Sequence, residues 1–130
     1  MLEEINISTK ERYQLIDITD SVEKIVKESG IKEGAALILV LHTSAALLLT
    51  ENEEGLRKDW LDFLKELVSN FDFRHDKLDN NADSHIIAGL IGGEKIFPIK
   101  DGQIVRGLWQ QIFLLELDGP RNRKIIVKII

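Results

Sequence analysis

The sequence contains no cysteine, and only two prolines and nine glycines among its 130 residues. Without cysteine the chain can form no disulfide, no thiolate metal site and no cysteine nucleophile. The low glycine and proline content excludes collagen-like and low-complexity chains, and 44% hydrophobic residues is more than disordered proteins contain. The first ten residues show no basic segment before an apolar core, so no secretory signal is recognised and we expect a cytoplasmic protein.

Long apolar runs and basic residues are also scarce. The longest apolar run, residues 35–41, is far shorter than the roughly 20 residues of a membrane-spanning helix. Lysine and arginine number 17 against 22 acidic residues, which gives a net charge of −5. Domains that bind duplex nucleic acid normally carry a basic excess. We therefore expect neither a membrane span nor a nucleic-acid partner.

Hydrophobic periodicity predicts an α+β fold. Apolar or alternating runs predict strands at residues 4–8, 14–18, 35–41, 95–99, 103–107, 108–117 and 123–130. The run at 35–41 is typical of a strand buried on both faces. Helical spacing predicts a short helix that ends at Gly30, a long helix over about 52–69 and a short helix around 86–91. With strands at both ends and helices between them, we predict a single domain over residues 1–130 with a largely antiparallel, β-sandwich-like core.

Three histidines are the first candidates for chemistry: His42, His75 and His85. A catalytic zinc ion takes three protein ligands, often histidine, and leaves a fourth position for water or substrate. Carboxylates that could orient the imidazoles are available at Glu51, Asp76 and Asp83. No short-range ligand pair such as HxxxH is present, so the alternative stays open that His42 packs in the core while the other two histidines lie on the surface.

Arginines near the C-terminus are candidates for phosphate binding. Arg121, Arg123 and Lys124 follow a Gly-Pro turn, and arginine can bind phosphate through two parallel hydrogen bonds. The alternative is that these are solvated charges at a strand end. Ser44, two residues after His42, supplies the residue type of a serine hydrolase, but the GxSxG motif of that class is absent.

Four segments resemble, in order, the motifs of the YjbQ-like family, whose members are often labelled secondary thiamine-phosphate synthases. These segments are residues 42–47 with Glu51-Asn52, His75-Asp76 with residues 81–86, residues 107–113, and residues 118–121. Together they extend over essentially the whole chain. The sequence departs from the family pattern at Ile87, where a lysine is common, and at Leu108 and Gln111, where threonine and glycine are usual.

The resemblance implies a YjbQ-like fold in an α+β subunit that assembles as a homotrimer. It also implies that His42, His75 and His85 converge on a metal or catalytic centre, with zinc as the expected ion and magnesium as the alternative. Glu51 and Asp83 complete the candidate catalytic residues. Candidate contacts to a phosphorylated metabolite are assigned to Ser44, Trp109, Gln110, Arg121 and Arg123, with Trp109 lining the pocket.

The activity implied by the resemblance is that of a transferase. It would join hydroxymethylpyrimidine diphosphate to thiazole phosphate and release pyrophosphate. Two alternatives from other classes remain. The protein could bind a metal ion or a phosphometabolite without turnover, or it could be a structural oligomer whose histidines only pack.

Overall fold

The computed structural model describes residues 1–130 and confirms the α+β prediction. It contains eight strands, three α-helices and one short 3-10 helix, Arg74–Lys77. The strands are β1 (Leu2–Ser8), β2 (Gln14–Asp17), β3 (Glu33–Val40), β4 (Ala45–Thr50), β5 (Glu94–Lys100), β6 (Gln103–Ile104), β7 (Gln111–Glu116) and β8 (Asn122–Ile129). The helices are α1 (Thr19–Ser29), α2 (Glu54–Val68) and α3 (Ala82–Ile91). None of the helices combines the length and the apolar character that crossing a bilayer requires.

The strands form two antiparallel sheets, as the sandwich-like prediction required. The large sheet has the order β1-β8-β3-β5-β6, and the small sheet has the order β2-β7-β4. A cluster of 16 buried residues joins one face of each sheet to α1, with Ile38 of β3, Leu47 of β4 and Val22 of α1 all fully enclosed. Burial of apolar surface at this depth supplies the main driving force for folding.

The small sheet is also covered on its other face. There Ala46 and Leu115 pack against Leu64 of α2 and Ile87 of α3 in a second buried cluster. Because β7 is enclosed on both faces, its residues show the continuous apolar run that predicted a strand rather than an alternation of polar and apolar residues. The cleft described below lies at the end of β7 where Glu116 is located.

Several predictions of individual elements are corrected by the structure. Hydrophobic periodicity does not predict β4, because its six residues follow a short turn and show neither the strand nor the helix period. β3 is fully buried on one face only, since Leu37 and Leu39 are half-buried. The strand predicted at 108–117 starts at Gln111, and the one predicted at 103–107 has only two residues.

The apolar stripe predicted for α2 is only partly buried. Leu64 is enclosed, whereas Phe63 and Leu67 are 62% and 54% exposed. The stripe is wider than the surface that the small sheet offers to a single helix, because α3 covers part of the same face. These side chains therefore form exposed apolar surface in the single chain.

Candidate functional site

A cleft of about 940 Å³ lies between two connecting segments. The segment from Val40 to Ser44, between β3 and β4, forms one wall, and the turn between β7 and β8 forms the other. The first wall is fixed to β8 by main-chain hydrogen bonding, since the Leu41 N–H donates to the Lys124 carbonyl at 3.1 Å. Loops supported in this way by a rigid sheet are common positions for binding groups.

Arg123 reaches the cleft from β8 and is 3% exposed. Its Nε donates to Glu116 Oε1 at 2.9 Å, and its Nη2 donates to Ser44 Oγ at 3.0 Å. Burial raises the pKa of Glu116, but hydrogen bonds from Arg123 and Thr9 outweigh burial, so the net pKa is lowered and the carboxyl is ionised. Nη1 of Arg123 has no acceptor in the chain, and Arg123 is one of the residues that line the cleft.

Two more hydrogen-bond donors belong to residues that line the cleft. Ser44 Oγ accepts a hydrogen bond from Arg123, while its own proton has no acceptor in the chain. His42 Nε2 accepts the main-chain N–H of Lys124 at 2.9 Å, so the neutral ring carries its proton on Nδ1. Burial and the positive charge of Arg123 lower the pKa of His42, which favours this neutral form.

The single carboxylate among the residues that line the cleft is already paired. Asp118 Oδ2 accepts Arg121 Nη2 at 3.0 Å and Asn81 Nδ2 at 2.8 Å. Burial raises the pKa of Asp118, but the bonds from Asn81 and Arg121 outweigh it and leave the pKa lowered. Arg121 thus offsets the charge of Asp118, and the other charged side chain that lines the cleft, Arg123, is cationic, which suits an anionic ligand.

His75 and His85 form a pair beside the cleft. Their ring centroids lie 5.1 Å apart with an interplanar angle of 89°. His75 Nε2 bonds Asn81 Oδ1 at 3.0 Å, and His85 Nδ1 bonds the Thr43 carbonyl at 3.1 Å. Because both oxygens can only accept, the protons lie on these two nitrogens, and the free lone pairs are on His75 Nδ1 and His85 Nε2. The histidine pair lines a small depression of its own. Thr43 lines both this depression and the cleft, so the two are adjacent.

The rings of His75 and His85 are oriented by hydrogen bonds in the way that is usual for metal-ligating histidines. Ligating histidines usually donate their other ring N–H to a fixed acceptor, as His75 and His85 do. The predicted third ligand, His42, has its Nε2 lone pair occupied by the Lys124 amide. No three acidic or histidine side chains come together in a cluster that could hold a metal ion. Within one chain, His75 and His85 are therefore the two histidines that lie close together and each keep a free lone pair.

Asp83, a predicted catalytic residue, points away from the histidine pair. It accepts hydrogen bonds from Tyr13 Oη at 2.7 Å and Arg12 Nη2 at 2.8 Å. Residues two positions apart on a helix do not share a face, so Asp83 and His85 diverge on α3. The carboxylate of Asp83 therefore fastens α3 to the segment between β1 and β2.

Glu51, Trp109 and Gln110 lie at the other end of the small sheet from the cleft. The register pairs Ala45 with Glu116 at the cleft end and Thr50 with Gln111 at the far end. Five steps along an antiparallel strand cover about 17 Å. The structure therefore brings His42, Ser44, Arg121 and Arg123 together, while these three predicted residues remain apart from them within one chain.

Sequence reasoning did not assign functional roles to Asn81 and Asp118. Both lie inside the segments that resemble family motifs, and Asp118 was interpreted only as part of a turn. An acidic residue directly before Gly119-Pro120, with an arginine after the proline, was the signal that could have indicated an ion pair across the turn.

Comparison with known proteins extends over nearly the full chain. The sequence model of a family described as UPF0047 protein YjbQ-like matches residues 3–130. A UPF0047 protein from Archaeoglobus fulgidus is 42% identical over 126 residues, which cover 96% of this chain and 98% of the relative. The UPF0047 protein YugU of Bacillus subtilis is 33% identical, with 99% of this chain and 98% of the relative covered.

Solved structures agree with the sequence comparison. A YbjQ-like protein of unknown function from Sulfolobus solfataricus matches with a TM-score of 0.96 and 46% identity, covering 99% of this chain and 95% of that chain. A YjbQ/UPF0047 protein from Clostridium acetobutylicum matches with a TM-score of 0.93 and 36% identity, covering 98% and 99%. The expectation drawn from the four motifs is confirmed: this chain belongs to the UPF0047 family of YjbQ-like proteins.

Proposed function

We propose that the cleft binds the phosphate or diphosphate group of a small metabolite, and that the protein is a transferase resembling the secondary thiamine-phosphate synthases. The observation that carries this proposal is the buried guanidinium of Arg123, whose Nη1 is left without a partner at the cleft. Glu116 and Ser44 hold the other nitrogens in place, so little side-chain entropy is lost when an anion binds.

The chemistry of such a transfer matches a donor-rich cleft. The bond between the pyrimidine methylene carbon and the diphosphate oxygen breaks, the thiazole nitrogen bonds to that carbon, and pyrophosphate leaves with the electron pair. Donors positioned at the leaving oxygen stabilise the developing negative charge. In this proposal Arg123 and Ser44 hold the pyrophosphate, Arg121 contacts it from the exposed side, and His42 donates through Nδ1.

His75 and His85 are proposed to hold a zinc ion through the two lone pairs that their tautomers leave free, with magnesium beside the diphosphate as the alternative. A bound divalent cation would supply Lewis-acid stabilisation of phosphate charge. The remaining ligand positions have to be filled from outside the pair.

A homotrimer is proposed as the functional assembly. Two observations support an assembly larger than one chain. Trp109 and Leu108 are 67% and 78% exposed, and the apolar side chains of α2 are likewise uncovered. In addition, Glu51 and Trp109 lie at the opposite end of the small sheet from His42, so a neighbouring subunit would have to bring them to a cleft.

Light scattering tests the proposed assembly. It should give a mass three times the 14.8 kDa of one chain, and a monomeric mass would overturn the assembly.

Binding without turnover is the second candidate function. A developing pyrimidine cation needs an electron-rich pocket that excludes water, and Trp109 was predicted to line it. In the single chain Trp109 is outside the cleft and exposed, so no aromatic wall is present there. This observation favours a phosphometabolite-binding protein over an enzyme if assembly does not complete the pocket.

Calorimetry with inorganic pyrophosphate tests the shared part of both candidates. Ser44→Ala and Arg121→Ala should each weaken binding about tenfold, because each removes one hydrogen bond to a charged group. Lys24→Ala, a surface cation on α1, is the control and should leave the affinity within about twofold. No binding to the native protein would overturn both candidates.

A pyrophosphate-release assay with both thiamine precursors then separates the two candidates. Release that depends on both precursors supports the transferase. Binding without release supports the second candidate and overturns the first.

A further inference from the structure

The side-chain amide of Asn81 lies between His75 and Asp118. The residue as a whole is 6% exposed. Its Oδ1 is 3.0 Å from His75 Nε2, and its Nδ2 donates to Asp118 Oδ2 at 2.8 Å. Asn81 occupies the N-cap position of α3, where an asparagine side chain normally accepts a main-chain N–H of the first turn. Here it makes no such bond, and its two polar atoms are used by His75 and Asp118 instead.

Asp118 determines which way the amide of Asn81 points. The lowered pKa of Asp118 keeps its carboxylate ionised, so it can only accept hydrogen bonds. The Asn81 NH₂ group therefore faces Asp118 and the carbonyl oxygen faces His75. Since that oxygen also only accepts, His75 must carry its proton on Nε2.

We propose that Asn81 is a positioning residue that holds His75 as the Nε2–H tautomer and reserves Nδ1 for a proton or a metal ion. Asn81 also donates to Asp118, which pairs with Arg121. The tautomer of His75 is thereby linked to the cleft. The use made of Nδ1 rests on the proposed function, whereas the tautomer and the link to Arg121 do not. Oriented histidines with a fixed partner on one nitrogen are the arrangement that proton transfer and metal binding both need.

The first test is ¹⁵N spectroscopy of the histidine rings at about pH 8, where histidines of ordinary pKa are neutral. In the native protein His75 should show a protonated, hydrogen-bonded Nε2 and an unprotonated Nδ1. Asn81→Ala should lose the hydrogen-bonded Nε2–H signal, and Asn81→Asp should retain it because a carboxylate also accepts. Asn80→Ala is the matched control, since the Asn80 side chain makes no hydrogen bond.

A protonated Nδ1 on His75 of the native protein would overturn the proposal, as would an unchanged Nε2–H signal in Asn81→Ala. Circular dichroism of each variant confirms that it is folded. Asn81→Asp keeps the test informative if Asn81→Ala does not fold, because loss of the signal in that variant would also contradict the proposal.

The second test addresses the link to the cleft. Arg121→Ala should shift the His75 Nε2 resonance, whereas Lys124→Ala, which removes a neighbouring cation paired with Glu4, should not. Combined with Asn81→Ala, which removes the amide between Asp118 and His75, Arg121→Ala should produce no further shift. If the His75 Nε2 resonance does not move in Arg121→Ala, the proposed link between the cleft and His75 is wrong. Absence of pyrophosphate binding, in contrast, would contradict the proposed function and leave the tautomer result standing.

Discussion

Arg123 and Glu116 form an ion pair whose side chains are 2% and 0% exposed. Removing two charges from water is costly, so such a pair contributes little net stability compared with apolar residues of similar size. Its clear effect is on geometry. The carboxylate fixes Nε and Nη2 of Arg123, and this leaves Nη1 as the nitrogen without a partner in the chain. The pair therefore connects the core of the domain to the candidate binding group.

Replacing one partner of this pair should be strongly destabilising. Glu116→Gln would leave the Arg123 charge buried without a counter-charge, and we expect the free energy of unfolding to fall by about 3–5 kcal/mol. Urea denaturation measures the change. Glu4→Gln removes a half-exposed carboxylate 3.7 Å from Lys124 and is the control, with an expected loss below about 1 kcal/mol. Equal losses in the two variants would show that the buried pair has no special role.

The pH dependence of stability should report on His42. Because the folded-state pKa of His42 is lowered, the unfolded chain binds its proton more readily. The stability from the neutral ring is thus present above about pH 6.5 and is lost as the pH falls through the lower folded value. His42→Gln keeps an acceptor for the Lys124 amide but does not titrate. Between pH 7 and pH 5 the native protein should lose up to about 1 kcal/mol more than this variant in urea titrations. Parallel losses in both proteins would contradict the assignment.

The fold was predictable because most elements carry a clear hydrophobic period. α1 and α2 show the helical period, β1 alternates polar and apolar residues, and β3, β5 and β8 contain mainly apolar runs. β4 was missed because a short strand covered on both faces has no alternation to detect. Trp109 was placed at a strand start, since Leu108 precedes it and an apolar run follows from Ile112, whereas the strand begins only at Gln111.

The site was predictable only as a set of residue types. His42, Ser44, Arg121 and Arg123 do meet, but their hydrogen-bond partners depend on strand register and on turns that pattern analysis does not resolve. The divergence of Asp83 from His85 could have been predicted, because a separation of two residues places side chains on different helix faces. The role of Asn81 could not, since its position at a helix start predicts a capping bond, whereas its amide bonds His75 and Asp118.

Zinc binding should depend on two of the three histidines. In titrations with Zn²⁺ at about pH 7.5, His75→Ala and His85→Ala should each weaken binding at least about tenfold, because each removes a free lone pair. His42→Gln should change the affinity by less than about threefold. Lowering the pH below about 6 should weaken binding in the native protein, since ligating imidazoles must be unprotonated. An equal loss in His42→Gln would instead favour a centre of three histidines.

Tyr13 is the only tyrosine of the chain, so the ultraviolet absorbance of phenolate reports on one residue. Burial, and then the hydrogen bond to the negatively charged Asp83, raise the pKa of its hydroxyl. The folded protein should therefore show little phenolate at about pH 11, where an ordinary tyrosine with a pKa near 10 is mostly ionised. By linkage, the stability that Tyr13 contributes is present below about pH 10 and is lost as the pH rises through the folded value. Asp83→Asn should lower the pKa of Tyr13 only in part, because burial is the larger cause. Phenolate formation by the native protein near pH 10 would contradict the contact between Tyr13 and Asp83.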